Sequence, residues 1–153
     1  MKRLKLLSFI FFVSFIEAVS SQVIGITKTI DMSFGNIAVI TLGTVVLSPN
    51  SSRVGAGGIT FPAVSGSITS ASFDVTGEAN LTYAITLPLS CIISSGGNNM
   101  TVDTFISTPS ATGTLSGTGT QQLNIGATLN IAGAQAQGTY ISGSPFTITV
   151  NYN

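Results

Sequence analysis

The sequence predicts an all-β fold, a single two-sheet antiparallel β-sandwich, and three observations predict it. Apolar residues recur at every second position, as in Leu81, Tyr83, Ile85 and Leu87, which is the spacing of a strand with one buried face. Turn-forming residues return about every 8–12 positions, the rhythm of an all-β sandwich. Charge is scarce: 7% of the 153 residues are charged, while the chain holds 20 Ser, 20 Thr and 17 Gly. Long helices are built instead from Ala, Glu, Lys, Leu and Arg.

The first 21 residues read as a signal peptide rather than as part of the fold. Lys2, Arg3 and Lys5 precede an apolar run from Leu6 to Ile16, and Ala18, Val19, Ser20 and Ser21 supply small residues for cleavage after Ser20 or Ser21. A run of about 11 apolar residues is too short to cross a ~30 Å hydrocarbon core. The expected mature domain is therefore 22–153, exported to the periplasm, cell surface or medium, with no integral membrane span left after cleavage. Its cations are Lys28 and Arg53, its acids Asp31, Asp74, Glu78 and Asp103, for a formal net charge of −2. Solubility then rests on hydroxyls and amides, a surface that does little to keep strand edges apart.

Along the mature chain the expected strands are 24–32, 36–47, 58–62, 70–77, 80–88, 100–106, 112–116, 121–126, 128–132, 139–141 and 145–152. The clearest alternations are Phe73 and Val75 against Asp74 and Thr76, and Phe146, Ile148, Val150 and Tyr152 against Thr147, Thr149 and Asn151. Leu123 and Ile125, then Leu129 and Ile131, flank Gly126-Ala127-Thr128, which reads as a hairpin with a short loop. Ser48-Pro49-Asn50, Gly55-Ala56-Gly57-Gly58, Ser95-Gly96-Gly97-Asn98-Asn99, Ser116-Gly117-Thr118-Gly119 and Gly143-Ser144-Pro145 read as turns or loops. About ten short strands need two layers to bury their apolar faces, hence the sandwich.

Most enzyme classes fail on inventory. The chain has no His, which removes Ser-His-Asp and Cys-His catalysis and any His-containing zinc site. Cys91 is alone, so no CxxC redox pair or intramolecular disulfide can form. Among apolar neighbours it reads as a small buried hydrophobe, with an intermolecular disulfide or a reactive thiol as the alternative. Gly55-Ala56-Gly57-Gly58 lacks the Lys-Ser/Thr of a phosphate loop. Asp74 and Glu78 flank Gly77 beside a turn and read as solvated surface rather than as a glycosidase pair. No carboxylates are spaced as calcium ligands, and no basic patch suits nucleic acid. The expectation is no enzyme, no cofactor and no metal.

Several stretches resemble a known family. They are Ile26-Thr27-Lys28-Thr29-Ile30-Asp31-Met32-Ser33-Phe34-Gly35-Asn36-Ile37, Gly43-Thr44-Val45-Val46-Leu47-Ser48-Pro49, Phe73-Asp74-Val75-Thr76-Gly77-Glu78-Ala79-Asn80, Met100-Thr101-Val102-Asp103-Thr104-Phe105, and the ending Phe146-Thr147-Ile148-Thr149-Val150-Asn151-Tyr152. Together they resemble the bacterial exported domain of unknown function numbered 4402, across nearly all of the mature chain. That family carries no established activity and supplies no catalytic residues. A fainter similarity, on Phe34-Gly35, Gly138-Thr139-Tyr140 and the alternating C-terminal strand, is to spore-coat-protein-U-type pilins of archaic chaperone–usher systems. Those are incomplete immunoglobulin-like sandwiches, completed by an extended N-terminal strand from the next subunit. This chain lacks their disulfide and has few residues between the cleavage site and Ile26.

The pilin similarity implies assembly by β-strand addition, as a homopolymer or with other surface subunits. Val23, Ile24, Ile26 and Ile30 would be the inserted side chains, and Phe146, Ile148 and Val150 would line the acceptor groove. The segment Gln22 to Ile30 reads equally as a donor strand or as the domain's own first strand. The expected role is an exported, non-enzymatic, pilin-like or adhesin-like surface subunit. The alternative is a monomeric sandwich binding a surface ligand such as glycan through loops at Gly55–Gly58 and Gly96–Asn99. The mature chain offers that alternative five Phe, three Tyr and no Trp as stacking platforms.

Overall fold

The computed structural model describes residues 22–153, so the expected signal peptide and its expected cleavage site lie outside the described residues. Thirteen strands follow one another: β1 (Gly25–Ile30), β2 (Ser33–Phe34), β3 (Ala38–Leu47), β4 (Arg53–Thr60), β5 (Ile68–Thr69), β6 (Ala71–Thr76), β7 (Thr82–Thr86), β8 (Ser90–Ser95), β9 (Asn98–Thr108), β10 (Thr112–Thr114), β11 (Thr120–Ile131), β12 (Ile141–Ser142) and β13 (Thr149–Tyr152). Every pairing is antiparallel. The described chain is all-β.

Its strands form three antiparallel sheets. Eight of them form one sheet in the order β1-β6-β11-β9-β8-β12, with β3 joined to β11 and β4 to β3, and this sheet curls into a half-barrel. A three-stranded sheet, β10-β7-β13, and a two-stranded pair, β2-β5, complete the molecule. The cause lies in β11. Along one edge it pairs β6 from Thr120 to Ile125 and then β3 from Ala127 to Ile131, while its other edge carries β9. One long strand therefore serves two sheet halves.

This overturns the expected hairpin at Gly126-Ala127-Thr128. The alternation runs straight through, with Leu123, Ile125, Ala127, Leu129 and Ile131 all buried on one side. Gly126 is there because the end of β3 comes close: a Cβ on it would overlap the Leu47 carbonyl oxygen. Gly55–Gly58 is likewise strand rather than loop, since it lies within β4. Opposite it, β3 carries extra residues between Val39 and Gly43, and a Cβ on Gly57 or Gly58 would strike the Leu42 or Thr41 main chain. β8 was not expected at all; it forms a hairpin with β9 across Gly96-Gly97, both at positive φ. At the C-terminus the expected strand 145–152 is paired only from Thr149 onward.

Two apolar clusters result. One joins Ala71, Phe73, Val75, Leu123 and Ile125 of the large sheet to Tyr83, Leu115 and Val150 of the small-sheet side. The other fills the curl with Phe34, Val45, Leu47, Val102, Ala127, Leu129 and Ile131. Met32 and Phe105 touch both clusters. Phe105 reaches inward because β9 holds an extra residue opposite Gly126–Thr128, with Thr104 at φ 48°. The bulge flips the phase, so Ile106 faces out, although a strict alternation from Val102 would have turned it inward.

Candidate functional site

Both chain ends of the described residues contribute apolar side chains to the core, among them residues expected to mediate assembly. β1 is the outermost strand beside β6, with Gly25 opposite Thr76, Ile26 opposite Val75 and Lys28 opposite Phe73. β13 is the outermost strand beside β7, with Val150 opposite Ile85 and Tyr152 opposite Tyr83. Each therefore keeps one row of main-chain groups without a neighbouring strand.

Ile24 and Ile26 are half-buried against the same cluster as Phe146, Ile148 and Val150. Five of the seven expected residues are thus brought together. Val23 is 86% exposed and Ile30 45% exposed, the latter beyond a register shift after Lys28, and neither joins the cluster. Within the described residues β1 is the domain's own first strand, paired to β6 of the same chain.

The C-terminal segment enters the core through Phe146, Ile148 and Val150. Phe146 sits 5.1 Å from Phe105 and 6.4 Å from Phe73, centroid to centroid, tilted on the first and edge-on to the second. One side of it borders an open cleft of about 650 Å³ whose walls include Pro88, Cys91, Ile92, Pro145 and Thr147. β12 covers only Ile93 and Ser94 of β8, so Ser90–Ile92 present a bare edge to this cleft. Sequence reasoning missed the cleft because β8, its other wall, had no alternating signature around Pro88 and Cys91.

Polar contacts fasten the arrangement. The Tyr152 hydroxyl donates to the Gln22 carbonyl at 3.0 Å and accepts the Glu78 N–H at 2.6 Å. Tyr83, fully buried, donates to Gln121 Oε1 at 2.8 Å, and the same oxygen accepts the Thr114 N–H at 2.9 Å. Burial pushes the Tyr83 phenol up from its ordinary value. It does the same to the Cys91 thiol on the cleft wall.

Among the described residues no group of three or more Cys, Asp and Glu gathers as metal ligands, and no helix is long and apolar enough to cross a membrane. Asp74 and Glu78 lie on opposite sides of Gly77, Asp74 exposed on β6 and Glu78 held by its N–H to Tyr152. The model of the family described as Domain of unknown function (DUF4402) matches residues 24–152, and the chain belongs to that family. No curated protein and no solved structure matches the chain.

Proposed function

We propose that this DUF4402 protein is an exported, non-enzymatic subunit of the bacterial surface, a pilin-like sandwich that assembles by β-strand addition. The observation that carries the reading is the meeting of the two chain ends. Ile24 and Ile26 of an outermost strand share a core with Phe146, Ile148 and Val150 of the C-terminal segment. A strand in that position is held by one neighbour only, β6, and by the Tyr152 hydroxyl at its start. Were it to leave, the apolar cluster would lie open along one side, and an equivalent segment from a second copy could fill it with the same side chains. The open cleft beside Phe146, with the bare edge of Ser90–Ile92, supports an acceptor role for this side of the molecule.

The test is the mature protein recovered from the producing cell's surface, run unheated and heated on gels and viewed by negative stain. Strand exchange gives a heat-sensitive ladder or filaments. Deleting Ser21 to Gly25 then abolishes polymer and leaves a folded but less stable subunit; unchanged polymer in that variant overturns the reading. A single monomer band with one cooperative unfolding transition would point instead to a self-complete sandwich. The ligand loop of such a monomer would be Gly96–Asn99, since Gly55–Gly58 lies in β4.

A further inference from the structure

A second edge of the molecule, away from the chain ends, is built for pairing. Most outermost strands are protected. β1 carries the exposed Lys28–Asp31 ion pair at its end, and β10, β12 and β13 are two to four residues long. β4 is eight residues long, contains no Pro, and among the described residues pairs only β3. Its one charge is withdrawn: the Arg53 guanidinium turns inward, donating to the carbonyls of Phe34 and Asn36 and lying 4.1 Å over the Phe61 ring.

The regular stretch of this edge is Arg53–Gly57, which runs opposite Leu47–Gly43 without a break. At its centre is Gly55, and the Phe61 ring folds back beneath it, close enough that a Cβ there would press on the ring at 3.1 Å. Val54 stands on the outer face, 67% exposed, and Phe61 is partly exposed on the inner one. Next to this stretch the β3 bulge leaves Ile40 and Leu42 74% and 69% exposed. The edge's one charge, Arg53, is engaged by the Phe34 and Asn36 carbonyls and the Phe61 ring, so no charged cluster is left here for an acidic, basic or nucleic-acid partner. What it offers is a bare row of main-chain groups between apolar side chains, and a second copy offers the same.

We infer that β4 pairs antiparallel with β4 of a second copy about a two-fold axis through Gly55. Val54 then faces Ala56 of the other chain, Arg53 faces Gly57, and the two Phe61 rings meet beneath the paired glycines. The eight-stranded sheet becomes continuous through the dimer. Full burial of one such apolar side chain removes roughly 60–120 Å² from water. Val54, Phe61, Ile40 and Leu42 are 39–74% exposed on each copy, so their burial removes roughly 300–600 Å² in all. That is below the ~1,200–2,000 Å² of stable complexes, and the dimer is weak and forms reversibly with concentration. This contact is separate from strand exchange at the chain ends.

The test is light scattering on the mature chain, 22–153, from micromolar to millimolar concentration. The wild type rises from monomer to dimer mass. Val54→Lys and Ala56→Lys, each placing a charge on an exposed position of the edge, stay at monomer mass with unchanged melting at low concentration. Val23→Lys, on the exposed N-terminal segment, still dimerises. A wild type that remains monomeric at the highest concentration overturns the inference, as does a dimer that survives both β4 substitutions. The Ser21–Gly25 deletion separates the two proposals: loss of polymer with a retained dimer supports both, whereas polymer that persists while Val54→Lys removes the dimer defeats only strand exchange.

Discussion

Tyr152 fastens the end of the chain to its beginning. Its hydroxyl donates to the Gln22 carbonyl at 3.0 Å and receives the Glu78 N–H at 2.6 Å. The last strand thereby holds the entry to β1 and the turn after β6 with one oxygen. Gly77 leaves room for this, because a Cβ there would overlap the same hydroxyl.

Tyr152→Phe should therefore loosen β1 selectively. It removes both bonds and leaves the partly buried Glu78 N–H without its acceptor, a loss of about 1–2 kcal/mol. Urea unfolding should show that loss, and amide exchange at Ile26 and Lys28 should quicken more than in β11. Equal protection of β1 in both proteins would refute the clamp.

Gly126→Ala should destabilise the fold by about 1–3 kcal/mol or more, since the new methyl meets main chain rather than a movable side chain. Gly117→Ala is the matched control: nothing lies within 4 Å of its added Cβ, so its effect should stay within about 0.5 kcal/mol. Thermal melts of the two variants decide the matter. Similar shifts would mean that β3 can move away from β11.

Stability should fall at high pH through Tyr83. Burial raises its folded pKa above the ordinary phenol value, so the folded state holds the proton more tightly than the unfolded chain. The contribution is complete below about pH 10 and is lost as pH rises through the folded value. Cys91, also raised by burial, acts with the same sign from a lower starting point. In a Cys91→Ala background, urea midpoints at pH 8 and pH 11 should therefore drop less for Tyr83→Phe than for the parent. The Tyr83→Phe protein should also be about 1 kcal/mol less stable at pH 8, having lost the bond to Gln121. Equal alkaline losses with and without the phenol would rule Tyr83 out.

Cys91 should react slowly. It is half-buried on β8 with its thiol pKa raised, so little thiolate is present near neutrality. A disulfide reagent at pH 8 should modify it more slowly in the folded protein than in urea. Modification as fast as in the unfolded chain would show the thiol free on the surface. The β4 dimer, which uses no thiol, should persist in reducing agent.

The period-two pattern located β6, β7 and β3 within a few residues, because in each the buried face depends only on side chains two apart. Phe73 and Val75, or Val45 and Leu47, are inward for that reason. The candidate site was legible to the same extent: Ile24, Ile26, Phe146, Ile148 and Val150 are apolar at strand spacing, and all five reach one core. Val23 and Ile30 carry the same chemistry, but Val23 precedes β1 and Ile30, though paired with Ser72, lies past the register shift and is exposed. The cleft beside Phe146 left no local signature, since its walls come from segments about fifty residues apart. Gly126 and Gly55–Gly58 misled because glycine marks a turn and a close main-chain approach alike.

By itself the sequence determined that the chain is all-β, which side of most strands is apolar, and that His-dependent and cysteine-pair chemistry is missing. Those properties reside in residue type and spacing. The tertiary structure alone decided which strand lies beside which. Side-chain spacing sets which face of a strand is buried but not which strand lies at its edge, because main-chain hydrogen bonds are the same for every candidate neighbour. Only the packing of the whole chain makes β11 serve β6, β3 and β9 together, turns Phe105 inward at the Thr104 bulge, withdraws Arg53 from β4, and leaves that edge bare.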